Sequence, residues 1–432
     1  MYQSRGHLWT DSEQQLLTRW DARIDRQVAQ SADRLTELRR YLHAHPEPSG
    51  EERQTSRFLA DELERLEIPA RLGRDDLGVI ADVDLGTVHA DAPLIALRAD
   101  IDALRITDTK QVPYMSRAAG LAHACGHDAH ATLMLGAALV AFHTRDAAAD
   151  DTGVRLRLIF QPAEEITQGA RWLVEQGVMD GVASILGVHV EPSLEAGRVG
   201  IRYGTLTANC DEVEIIVTGK GGHAARPFHT VDPIAAAVQL VSALYSQLPR
   251  SVDARNPTVF SIGRFTGGSV ANVIPDQVEL NGCLRTTDLA TREQLRNRIR
   301  SVCTGIEASS GARISPRFFN ALNSVENDPH ITAMLEHACR RCLEPEDIVR
   351  LDQPSMGGED FSVYQELAPG AMLRLGSTPP GQSPRFLHAP DFDIDERILA
   401  IGVRVFLRAA LALSLKSAGN TPAESGSRDQ ET

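Results

Sequence analysis

The chain has 432 residues, 42% hydrophobic and 24% charged, an ordinary globular composition with room for one large core or two. With 44 basic and 58 acidic residues the formal charge is −14, which argues against nucleic acid or an anionic membrane as the main partner. No apolar run approaches the ~20 residues of a membrane helix. The opening stretch MYQSRGHLWTDSEQQLL lacks the apolar core of a secretory signal. Six cysteines (Cys125, Cys210, Cys283, Cys303, Cys339 and Cys342) form no disulfide framework in a chain this long, so a reduced, cytoplasmic compartment is expected.

Residues 1–30 are polar with scattered apolar positions and read as an extension or a loosely packed helix. Leu35, Leu38 and Leu42 recur at helical spacing, and His45-Pro46 ends that helix. Ser49 and Glu52 have the spacing of a capping box, and Leu59, Leu63 and Leu66 continue a second helix. Short apolar runs at 78–83, 93–97, 154–160 and 184–190 alternate with helical stretches at 129–142 and 169–176, which is α/β patterning with a largely buried sheet. From about residue 205 the pattern changes. A strand around Val213, Ile215 and Val217, a helix from Asp232-Pro233 to Leu248, strands at 258–265 and 278–285, a helix through Leu295, Ile299, Val302 and Ile306, and a strand at 312–319 follow in order. That β-α-β-β-α-β order predicts a ferredoxin-like domain inserted into the α/β domain. A helix from Asp328-Pro329, a strand at 372–376 and a long apolar helix at 394–415 complete the chain, and the polar tail from Lys416 reads as disordered.

Chemistry concentrates in His123-Ala-Cys125-Gly126-His127-Asp128-Ala-His130, where three histidines, a cysteine and an aspartate fall within eight residues. Cysteine and histidine are the usual ligands of zinc and similar cations. The alternative is a buried cysteine beside helix-capping histidines. Glu164 and Glu165 follow the apolar run VRLRLIF, at the strand end where α/β sheets place their sites. Adjacent glutamates in an extended segment point different ways, so one can bind a metal while its neighbour reaches a water. A solvated acidic loop is the alternative. His189, in LGVHV, and His388, in FLHAP, are candidate ligands in this company and core or surface histidines otherwise. His223 lies in the glycine-rich GKGGHAARP, which also reads as a simple hairpin. His130 sits at helical spacing from His127 and is a candidate partner of a ligand. Cys339 and Cys342 have zinc-like spacing but no second pair to complete a site.

Together the stretches RRYLHAHPEPSGEE, ALRADIDAL, HACGHDAH, FQPAEE, GVHV, GKGGHAARP, NVIPDQVELNG, GGEDFSVY and FLHAP resemble, in order over residues ~35–412, the M20 metallopeptidases. The similarity is to their aminoacylase-like amidohydrolase branch: hippurate hydrolases, N-acyl-L-amino acid amidohydrolases and auxin-conjugate hydrolases. The resemblance implies a mixed-sheet, zinc-peptidase-like catalytic domain in two parts (31–204 and 319–415), an inserted lid and dimerisation domain (205–318) and a tail (416–432). It implies two divalent metal ions (Zn, Mn, Co or Ni) held by Cys125, His127, Glu165, His189 and His388, with Cys125 as the bridge. Glu164 would be the general base and His223 would polarise the scissile carbonyl. Asn272, Arg285, Gly357 and Gly358 would contact the substrate. Asp100 falls where the wider family orients a ligand histidine, and Arg98 replaces a histidine of that wider family. The implied activity is hydrolysis of N-acyl amino acids resembling hippurate or N-acetyl amino acids, by a homodimer or higher homo-oligomer. Alternatives are a dipeptidase or an N-acetyl-diaminopimelate deacetylase of the same family, or a non-catalytic metal-binding scaffold.

Overall fold

The computed structural model describes residues 9–145 and 153–418. The chain divides into two compact units, one of residues 1–204, 327–351 and 363–432, the other of residues 205–326 and 352–362.

The first unit is built on an eight-stranded mixed sheet. Its order is Ala70–Leu72, Val79–Leu85, Val154–Gln161, Leu94–Asp100, Val182–Glu195, Gly370–Thr378, Val199–Ile201 and Ile348–Arg350. The middle four strands run parallel. They read as near-continuous apolar runs because both faces are covered, and Gly370–Thr378 is buried at every position. Helix His127–Thr144 is apolar all round and packs between Asp11–Ala44 and Arg397–Ala418. Residues Arg397–Lys416 are long and apolar enough to cross a membrane by composition, but 78% of that window is buried, so it serves as a core helix.

Four expectations need correction here. The N-terminal residues are neither an extension nor loosely packed. Helix Asp11–Ala44 runs 34 residues, opens on a Thr10–Glu13 capping box, and buries Leu17, Trp20, Ile24, Val28, Leu35, Leu38 and Leu42. Each such side chain contributes on the order of 1.5–3 kcal/mol by leaving water. The catalytic unit therefore begins well before residue 31. The capping box at Ser49 and Glu52 does not form: Glu52 is the N-cap residue of helix Arg53–Arg65 but makes no side-chain cap bond. The expected boundary at 318 falls inside strand Arg313–Leu322, and residues 352–362 return to the second unit. Of the expected disordered tail, residues 416–418 are the end of a helix, and 419–432 lie outside the described residues.

The second unit is an antiparallel four-stranded sheet in the order Thr258–Gly267, Gln277–Thr286, Asn209–Thr218, Arg313–Leu322. Helices Pro233–Gln247 and Leu289–Ser310 complete the ferredoxin-like arrangement. Asp232 and Asp288 cap these helices through backbone N–H groups. The core is Val213, Ile215, Val217, Leu240, Leu280, Leu295 and Ile299.

Candidate metal centre

The site in the first unit gathers where the parallel strands end. Pairing sets Asp100 beside Gln161 and His189 beside Arg374. The chain leaves Leu94–Asp100 through Asp102, and leaves Val154–Gln161 through Pro162, Ala163, Glu164 and Glu165. Cys125 precedes helix His127–Thr144. The bend between them needs Gly126, whose φ is 89° and whose added Cβ would sit 2.6 Å from Val190 Cγ2. The loop with His388 is tied to Cys125's neighbour, because His388 N–H donates to the Ala124 carbonyl at 2.7 Å. His388 and Ala163 both hold positive φ, 63° and 53°, a conformation that non-glycine residues keep only where the surroundings enforce it.

Three of the groups of potential ligand atoms among the described residues are Cys125 with His127 and His189, Cys125 with Glu165 and His388, and His127 with Glu164 and Glu165. Within each group the atoms lie inside 4.8 Å of one another. Cys125 belongs to two of the groups. Its Sγ is 3.5 Å from His189 Nε2, and Glu165 Oε1 is 3.3 Å from His388 Nε2.

The hydrogen bonds behind the histidines define which nitrogen faces the cluster. His189 Nδ1 lies 2.8 Å from the Val190 carbonyl, to which it donates, so Nε2 presents its lone pair toward Cys125. His127 Nδ1 is 3.0 Å from both the carbonyl and Oδ1 of Asp102, and its buried Nε2 makes no hydrogen bond. A buried imidazole nitrogen without a partner, among a thiol, two more imidazoles and carboxylates, suits a divalent cation of the zinc type.

Electrostatics follow the same geometry. Burial pushes the Cys125 thiol up to about 12. It also holds His189 well below the ordinary imidazole value, helped by Arg374. Burial opposes charge on His127, yet Asp100, Cys125 and Asp102 together carry it well above the ordinary value. The Glu165 hydrogen bond raises His388.

Asp100 does not bond His127 Nδ1, which turns to Asp102 instead. One Asp100 oxygen accepts from His130 Nδ1 at 2.6 Å and the other from Arg98 Nη1 at 2.7 Å. His130 Nε2 in turn accepts the Val190 N–H at 2.9 Å, which ties Asp100 to the strand of His189. The residue that orients His127 is Asp102, which the sequence reading passed over. Its signal was present in ALRADIDAL, where two aspartates stand two residues apart.

Two further clusters form within the second unit. His223 and Asn272 are neighbours: Val273 pairs with His223, and Ala224 N–H donates to the Asn272 carbonyl. Arg285 Nη1 lies 3.1 Å from Cys210 Sγ and 3.1 Å from the Met356 carbonyl. Gly358 packs on the same thiol: an added Cβ would meet Cys210 Sγ at 2.9 Å and Arg285 Nη1 at 3.7 Å. Gly357 is exposed beside it and accepts the Ala208 N–H.

A parallel-stranded α/β unit with a thiol, imidazole and carboxylate cluster at its strand ends is the architecture of a metallohydrolase. The chain belongs to peptidase family M20/M25/M40, whose model matches residues 96–412. An N-acetylcysteine deacetylase of Bacillus subtilis is 40% identical over 384 residues, covering 88% of this chain and 96% of the relative. An IAA-amino acid hydrolase of Arabidopsis thaliana (ILR1-like 4) is 35% identical over 404 residues, covering 92% and 90%. The crystal structure of a dinuclear metal binding M20 peptidase from Bacillus subtilis superposes with a TM-score of 0.75 at 35% identity, covering 88% of this chain and 98% of that one.

Proposed function

We propose that this protein hydrolyses the amide bond of N-acyl amino acids, releasing a carboxylic acid and a free amino acid, with two divalent cations held by Cys125, His127, Glu165, His189 and His388. The observation that carries the reading is Cys125 standing in two groups of donor atoms, one with His127 and His189 and one with Glu165 and His388. A thiolate shared by two donor groups would suit a pair of adjacent cations. The similarity to enzymes named as a deacetylase of N-acetylcysteine and a hydrolase of an amino acid conjugate supports the N-acyl amino acid as substrate. When bound, the cations supply Lewis acidity and a water acidified from 15.7 to about 7.

The chain's own groups do the rest. Glu164, grouped with His127 and Glu165, takes the proton of the attacking water and returns it to the departing amine. Glu165 keeps its charge for the cations, so the two adjacent glutamates divide the work. Asp102 holds His127 in the tautomer that leaves Nε2 free. In the second unit, His223 with Asn272 polarises the scissile carbonyl, and the Arg285 guanidinium binds the free carboxylate in bidentate fashion beside Gly357 and Gly358. Edge strand Thr258–Gly267 exposes Val259 and Phe265, which supports self-association as a homodimer. Six unpaired cysteines support the cytoplasm as the compartment.

The test is turnover of acetyl, benzoyl, lauroyl and indole-acetyl conjugates, with dipeptide controls, after chelation and again with zinc, manganese, cobalt or nickel restored. Metal-restored cleavage of acyl conjugates is expected, and Glu164→Gln is expected to keep its metal and lose at least ~10²-fold in kcat. Cleavage of dipeptides alone would move the protein to the peptidase branch. Bound metal without any turnover would leave a scaffold.

A further inference from the structure

The matched stretch RRYLHAHPEPSGEE has no part in the chemistry above, yet its last glutamate is the least explained carboxyl of the first unit. Glu52 is fully buried, and its Oε2 makes no hydrogen bond. Its Oε1 accepts the Ala163 N–H at 2.7 Å across 111 residues of chain. Ala163 is the residue immediately before Glu164, it is itself fully buried, and its φ is 53°. An alanine in that left-handed conformation pays a steric penalty that something else must offset. Its carbonyl is held by the N–H groups of Gln168 and Gly169 at 3.2 Å, and its N–H is held by Glu52. Two residues on, the Glu165 N–H donates to Asp102 Oδ2 at 3.0 Å. The turn carrying both glutamates therefore hangs from two carboxylates that other segments supply.

Glu52 is well anchored for such a task. Its carbonyl accepts from Ser56 Oγ at 2.7 Å, and Ser56 Oγ accepts the Gly78 N–H at 2.8 Å, so the start of helix Arg53–Arg65 is locked to the start of strand Val79–Leu85. Burial, with Asp102 nearby, pushes its carboxyl up to about 7, and Oε1 accepts a hydrogen bond whether or not Oε2 carries a proton.

We propose that Glu52 is a positioning residue for Glu164: by accepting the Ala163 N–H it holds the left-handed backbone that aims Glu164 at His127 and Glu165. This rests on the reading of Glu164 as the general base. The Ala163 bond fixes the direction in which the next side chain leaves the turn, and a displacement of about 1 Å at the reacting group costs about 10²-fold in rate.

The experiment compares Glu52→Ala, Glu52→Gln, Glu52→Ala with Ala163→Gly, and Glu164→Gln, each metal-reconstituted. Readouts are kcat and KM on an N-acetyl amino acid, metal content and the circular dichroism spectrum. Glu52→Ala is expected to lose ~10- to 100-fold in kcat with KM and metal content unchanged. Glu52→Gln keeps the acceptor and is expected to hold kcat within about 3-fold, a rescue that lost packing alone would not show. Glycine at 163 adopts positive φ without support, so the double variant is expected to regain part of the kcat that Glu52→Ala loses. Unchanged kcat in folded Glu52→Ala overturns the proposal, as does equal loss in the Gln and Ala variants, or a loss that tracks missing metal. If Glu52→Ala does not fold, Glu52→Asp takes its place: the carboxyl is one methylene short of Ala163, kcat is expected to fall at constant KM, and wild-type kcat overturns the proposal. Glu164→Gln separates the two readings. Full turnover in that variant removes the general base itself, while its inactivity beside a fully active Glu52→Ala removes only the role of Glu52.

Discussion

Replacing Arg39 by methionine should destabilise the first unit by about 3–5 kcal/mol, the usual consequence of removing one partner of a buried ion pair. Arg39 is completely buried. Its Nε donates to Asp128 Oδ2 at 2.9 Å, its Nη2 to Asp393 Oδ1 at 2.6 Å, and its Nη1 to Glu396 Oε1 at 3.4 Å. Asp128 follows His127, and Asp393 lies in the chain that continues from His388 into the last helix, so one guanidinium joins both sides of the candidate centre to helix Asp11–Ala44. Burial alone would raise the Asp128 carboxyl, but Arg39 and then His43 hold it well below the ordinary carboxylate range. A depressed carboxyl contributes stability that is present above its unfolded value of about 3.9 and is lost as pH falls through the folded value. In the methionine variant Asp128 loses that stabilisation and takes up a proton more readily. The stability gap between the two proteins is therefore widest near neutrality and narrows as pH approaches 4. Guanidinium chloride unfolding of metal-stripped protein, followed by circular dichroism at pH 7 and at pH 4.5, measures both quantities. Adding Asp128→Asn to the methionine variant should restore part of the loss, since the stranded charge is then gone. A gap below about 1 kcal/mol at pH 7, or one independent of pH, would refute the argument.

Three further outcomes follow from the same contacts. Asp102→Asn removes the carboxylate that orients His127 and is expected to weaken metal binding by ~10- to 100-fold in chelator competition; unchanged affinity would mean the Asp102 carbonyl suffices. The Glu52 carboxyl, raised from 4.5 to about 7, contributes stability that is complete below 4.5 and lost as pH rises through 7. Glu52→Gln should therefore gain on wild type by up to about 3 kcal/mol between pH 5 and 8, read from denaturation midpoints, and a constant difference would show that Glu52 does not titrate there. Arg285→Ala should raise KM for N-acyl amino acids and leave KM for their carboxamides alone, whereas an equal effect on both would take the carboxylate away from Arg285.

The architecture was legible where local pattern and tertiary partner agree. The inserted unit showed itself because its strands alternate and its helices carry clear caps, as Asp232-Pro233 does, so element order alone gave a ferredoxin-like unit. The parallel strands were legible as apolar runs for the opposite reason, that both of their faces are covered. The N-terminal helix was not, because Leu17, Trp20, Ile24 and Val28 are isolated among charged residues. Their burial depends on contact with helix Arg397–Ala418, nearly four hundred residues away, and no window of sequence contains that. The capping box failed in a related way. Ser49 and Glu52 have the right types and spacing, but each is drawn to a distant partner, Ser49 to Asp102 and Glu52 to Ala163. Local rules state what a residue can do, and competition from long-range partners decides what it does.

The same competition accounts for the aspartate that was passed over. Arg98 carries a guanidinium, which has no lone pair to offer a cation. Fully buried, it must be neutralised, and it takes one oxygen of Asp100 and the Gln161 side-chain carbonyl, at 2.7 and 2.8 Å. The other Asp100 oxygen goes to His130 Nδ1, at 2.6 Å. The orienting role then falls to the next carboxylate along, Asp102, which also accepts Ser49 Oγ and the Glu165 N–H. Asp102 thus supports His127 and couples it to the glutamate turn. The prediction for Asp102→Asn tests this arrangement, in which Asp100 is drawn to Arg98 and His130 while the Asp102 side chain lies 3.0 Å from His127 Nδ1.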